Sequence, residues 1–103
     1  MINISKSDWK LFQDRLPDWQ ENFMDRLLKD YIKLLKSSGN PSDRFWKLEK
    51  RIKEDRKHPG VSMRIEKSET IWNIVSLIRL NVIAIDDLDG FSTELIEEVK
   101  RLV

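Results

Sequence analysis

Pro17-Asp18-Trp19-Gln20-Glu21-Asn22-Phe23-Met24-Asp25-Arg26-Leu27-Leu28-Lys29-Asp30-Tyr31-Ile32-Lys33-Leu34-Leu35-Lys36-Ser37 is the stretch on which the fold turns. Wound at 100° per residue, its apolar side chains from Trp19 to Leu35 cover more than half the circumference. Asn22, Asp25, Arg26 and Lys29 take what remains. An apolar arc that wide cannot be buried by one neighbour, so this segment is expected to be the central helix of an all-α domain. Ser37-Ser38-Gly39-Asn40 supplies its stop, with Gly39 placed for a left-handed turn.

Upstream, Ser5 reads as an N-cap with Asp8 three residues later, a short-armed capping box, and Ile4 and Trp9 fall at staple positions. Trp9, Phe12 and Leu16 share one face. Pro17 disfavours helical geometry at Leu16, so the first helix is expected to end or kink there.

Downstream, Asn40-Pro41 starts a third helix, expected to reach about Lys57, with Phe45, Leu48 and Ile52 as a narrow apolar stripe among charges. His58-Pro59-Gly60 ends it, and His58 reads as a group at the helix C-terminus. Val61, Met63 and Ile65 alternate with polar residues, but a lone strand has no partner here. The segment 61–67 is read as an extended connector laying three apolar groups on the core. Ser68 would cap a fourth helix carrying Ile71, Ile74, Val75, Ile78 and Val82. Residues 83–91 read as a turn around one short acidic helical turn capped by Asp86, and Ser92 caps a last helix with Leu95, Val99 and Leu102 inward. The expected fold is one all-α domain over residues 1–103: a compact bundle of four main helices plus a short acidic turn-helix.

Several motifs resemble a known family. Trp9-Lys10-Leu11-Phe12, the run Asn40-Pro41-Ser42-Asp43-Arg44-Phe45-Trp46-Lys47-Leu48-Glu49, Pro59-Gly60-Val61 and Ile83-Ala84-Ile85-Asp86-Asp87-Leu88 with Phe91-Ser92 and Leu95 are similar to a family of small uncharacterised all-helical proteins of Gram-positive bacteria. The resemblance spans nearly the whole chain. It implies a helical fold and carries over no activity and no site residue.

Composition narrows the chemistry. The chain has 103 residues, 40% hydrophobic and 36% charged, a net charge of +1, no cysteine and one histidine. That excludes a disulfide scaffold, a cysteine zinc site and a thiol nucleophile. No run approaches the ~20 apolar residues a membrane span needs, and no apolar leader follows Met1. The expected compartment is the cytoplasm. Asp86-Asp87-Leu88-Asp89-Gly90 is no calcium loop: placing Gly90 at loop position 6 puts Ile85 and Ile96 where the essential carboxylates belong. Glu97 and Glu98 diverge by about 100° on a helix and share no site. No enzyme, cofactor, metal or small-molecule ligand is implied.

Two binding readings remain. Trp46 lies off the Phe45/Leu48/Ile52 stripe beside Lys50 and Lys53, and Trp72 is displaced from its own stripe near Arg79. Helix packing with such wide apolar arcs could simply cover both rings as core; because Trp concentrates at interface hot spots, the five residues are alternatively the surface for a protein partner or a homo-oligomer formed by self-association. The alternative uses the charge asymmetry. Residues 41–67 hold 9 basic and 5 acidic groups, against 3 and 7 in residues 68–103. A nucleic-acid-binding regulator would use Arg44, Lys47, Lys50, Arg51 and Lys57. Glu49, Glu54 and Asp55 interrupt that surface and favour a solvated, salt-bridge-laced helix.

Overall fold

A computed structural model describes residues 2–103. Among them are four α-helices and no strand: α1 (Lys6–Lys36), α2 (Pro41–Asp55), α3 (Thr70–Arg79) and α4 (Thr93–Leu102). One-turn 3₁₀ segments at Lys67–Glu69 and Ile85–Leu88 lead into α3 and α4. The all-helical class and the short acidic turn-helix are as the sequence implied.

The helix does not end at Pro17: α1 runs through it for 31 residues. Phe12, Leu16, Trp19 and Phe23 are all buried and follow each other by four, three and four residues, so one core face continues across the proline. Burial on both sides outweighs the missing backbone donor and the local crowding at Leu16. The ring itself is exposed. At 1.5 Å per residue α1 is about 46 Å long, and it accounts for the elongated outline of 53 × 22 × 22 Å.

The core gathers at one end of this rod. Phe12, Leu16, Trp19 and Phe23 of α1 meet Ile71, Ile74, Val75 and Leu77 of α3, Leu88 and Phe91 of the acidic turn, and Leu95 and Val99 of α4. Val61, Met63 and Ile65 alternate half-buried with exposed neighbours and lie against this cluster, so the connector behaves as its alternation suggests. Arg26 donates to the Asn81 and Val82 carbonyls at 2.8 and 3.1 Å, which fastens the turn after α3 to α1. Asn81 there adopts φ 61°, a left-handed geometry that Asn tolerates better than most residues.

Three caps differ from expectation. Asp8 does not reach back to Ser5. Its buried carboxylate accepts from the Ser92 backbone N–H at 2.9 Å and from the Ser92 hydroxyl at 2.5 Å, while Ser92 Oγ accepts from Leu95 N–H. A carboxylate at the positive end of α4 is favourably placed, and Asp8 thereby ties together the N-termini of α1 and α4. Ser68 sits inside the 3₁₀ turn before α3, where the Thr70 hydroxyl donates to the Lys67 carbonyl at 2.8 Å. Asp87 rather than Asp86 closes the acidic turn, accepting from Ala84 N–H at 2.7 Å.

Candidate interaction surface on the hairpin arm

Beyond Leu27, which still packs against the core, α1 projects from it. Its last turns pair with α2, which returns antiparallel after the short turn Ser37–Asn40. The central helix therefore has half of its wide apolar arc outside the core, and α2 buries no residue at all.

What holds this arm together is mostly polar. The Tyr31 hydroxyl donates to Asp55 Oδ2 at 2.5 Å. Arg51 lies over the Tyr31 ring at 5.7 Å and pairs with Asp55 at 3.8 Å. Burial against α2 and the hydrogen bond to the Asp55 carboxylate push the Tyr31 phenol up to about 12, because both oppose the phenolate. At the tip, Arg44 Nη1 donates to the Leu35 carbonyl at 2.7 Å. At the base, His58 stacks on Phe23 with centroids 4.4 Å apart, its Nδ1 accepts from Gly60 N–H, and Gln20 donates to the Pro59 carbonyl. His58 thus closes the turn after α2 and packs on α1.

The two sides of the arm differ. On one side a groove of about 250 Å³ runs between the helices, lined by Met24, Leu27, Leu28 and Tyr31 of α1 and by Ile52, Asp55, Arg56 and Val61. Ile32 and Leu35 follow Leu28 at i+4 and i+7, and Phe45 precedes Ile52 by two turns, so all five continue the same side. Leu28, Ile32, Leu35, Phe45 and Ile52 are between 41% and 62% exposed. Large apolar groups clustered in this way mark an interaction site on a folded protein more often than isolated ones do.

The outward side of α2 is basic. Trp46, Lys50, Lys53 and Lys57 recur at i, i+4, i+7 and i+11, a single stripe facing away from α1. Lys50, Lys53, Arg56 and Lys57 line a shallow open depression there together with Glu54. Lys53 is paired with Glu49 at 2.6 Å.

The residues singled out in the sequence are thus dispersed. Trp46 is 62% exposed and meets Phe45 edge-on at 4.9 Å, near the tip of the arm. Trp72 is 42% exposed on α3, at the core end. Arg79 donates to the Leu102 carbonyl at 2.5 Å and fastens the ends of α3 and α4. Of the basic set, Arg44 and Arg51 hold the hairpin, whereas Lys47, Lys50 and Lys57 make no ion pair among the described residues. Sequence reasoning missed Leu28, Ile32 and Leu35, which it assigned to a central helix covered all round. No helix among the described residues is long and apolar enough to cross a membrane. No group of three or more His, Cys, Asp or Glu among them could hold a metal ion.

Comparison with known proteins returns no match: no family model, no curated relative and no solved structure. The surface must be read from its own chemistry.

Proposed function

We propose that this chain is a small non-catalytic interaction or regulatory module of the cytoplasm that docks a protein partner through the apolar side of the α1–α2 arm. The observation that carries the reading is five large apolar side chains on one side of a hairpin whose second helix buries nothing. A fold that needed those groups for its own core would cover them. Trp46 stands at the tip of the same arm, next to Phe45, and Lys50 and Lys53 lie behind it. Trp72 and Arg79 would form a separate patch.

Stability separates docking residues from folding residues. Ile32→Glu and Phe45→Glu, measured on dilute protein, are expected to keep full helicity and to cost less than about 1 kcal/mol, as exposed substitutions do. A loss of roughly 3 kcal/mol or more, the scale of a core truncation, would mean the side is packed in the folded monomer and would overturn the reading.

A second reading rests on the outward stripe Trp46/Lys50/Lys53/Lys57, which could lie along a phosphate backbone. Glu49 and Glu54 border that stripe and weaken it. Retention on heparin with steep salt dependence, lost in Lys50→Ala/Lys57→Ala, supports it. Elution below about 100 mM salt, too weak for several phosphate contacts, removes it.

A further inference from the structure

We infer that the occupant of the apolar side of the arm is a second copy of this chain, whose own arm packs against it face to face to form an antiparallel four-helix bundle. The inference rests on the docking role proposed for the same surface.

Size is the first argument. At the exposures of Leu28, Ile32, Leu35, Phe45 and Ile52, the five residues present roughly 380 Å² of apolar surface, taking ~150 Å² for each, the low end of the aromatic range because four of them are aliphatic. A standard interface buries about 800 Å² per partner, about 65% of it apolar where the partners are identical. The five residues alone therefore supply the larger part of the apolar area that one half of an ordinary homodimer contributes.

Shape is the second. The arm is already half of a bundle: two antiparallel helices, a short connection and an apolar side between them. A two-fold copy supplies the other pair of helices at matching length, and isologous packing needs no second complementary surface.

Charge is the third. Asp55 and Arg56 line the groove itself, and the helices bordering the apolar side carry Asp25 paired with Lys29 at 3.1 Å and Glu49 paired with Lys53 at 2.6 Å, each pair within its own helix. Such a rim has no dominant sign. It gives no purchase to a partner selected by opposite charge, and it does not repel an identical rim turned by a two-fold axis.

The test is sedimentation equilibrium of the full chain from about 5 to 500 µM. The mass is expected to rise from 12.3 kDa toward twice that value. Ile32→Glu is expected to weaken association by more than about 30-fold, the scale of a hot-spot loss, and Trp72→Ala to leave it unchanged. Phe45→Ser serves as a milder second variant, with helicity checked for each. A wild-type chain that stays monomeric throughout overturns the inference. So does a dimer that survives both substitutions, because it would use another surface. If the chain is monomeric while Ile32→Glu and Phe45→Glu keep their stability, only the second copy is refuted. If those variants lose their fold in dilute solution, the docking role falls as well.

Discussion

Replacing Pro17 by Ala should make the protein more stable. Pro17 lies inside α1, exposed, with helix on both sides. Its missing N–H leaves the Gln13 carbonyl without the bond a regular helix would give it, and its ring crowds that same carbonyl. Proline in a helix interior is less favourable than alanine by about 3 kcal/mol. Part of that is offset in this chain, because the neighbours have settled around the ring and proline also restricts the unfolded state by roughly 0.4–1 kcal/mol. A gain of about 2 kcal/mol remains. For a chain of this length it corresponds to a rise in Tm of about 8–16 °C. Thermal unfolding followed by circular dichroism reads the shift, and Gln13 to Leu16 should gain hydrogen-exchange protection. An unchanged or lower Tm would refute the reasoning, since it would mean that the chain breaks at residue 17 and uses proline to start a second helix.

Asp8→Ala removes the acceptor for both Ser92 donors and leaves the backbone donor buried, so chemical denaturation should show a loss of about 3 kcal/mol. A loss under 1 kcal/mol would mean the link between α1 and α4 is unimportant. Gly60→Ala would place a Cβ 2.2 Å from Phe23 Cδ2, forcing the His58–Phe23 stack apart; overpacking of this kind should cost about 1–3 kcal/mol in the same assay. Tyr31, the only tyrosine, should titrate at about 12 by absorbance near 295 nm. Because its pKa in the folded protein lies above the ordinary 10, the fold favours the neutral phenol. That contribution is complete below pH 10 and is lost as the pH rises through about 12. A midpoint at 10 would show that the Asp55 bond is not formed.

The all-helical class was legible because periodicity is strong in every segment, and the Ser5 and Ser92 caps sit where their spacing put them. The continuity of α1 was legible too, in the unbroken four-three-four spacing from Phe12 to Phe23, but local proline stereochemistry was given more weight than that pattern. Periodicity says which side of a helix is apolar; it does not say how many neighbours arrive to cover it. Hence Phe45 and Ile52 looked inward-facing and are exposed, while Leu77, off the main stripe of α3, is fully buried. Asp8 shows a related limit. Its capping-box spacing was correct, but its partner lies 84 residues away in Ser92, and no local pattern encodes that meeting. Off-stripe position alone did not decide exposure either: Trp46 and Trp72 are exposed, whereas Leu77 is buried.

The account stands on an arm that projects from the core with one apolar side open. Small-angle X-ray scattering from the monomer, extrapolated to zero concentration, tests this most directly. The Cα radius of gyration of 16.6 Å predicts a value near 17 Å, well above the ~13 Å of a compact chain of about 100 residues. A value of about 13–14 Å would contradict it, since the arm would then be folded back with its apolar side covered by its own chain.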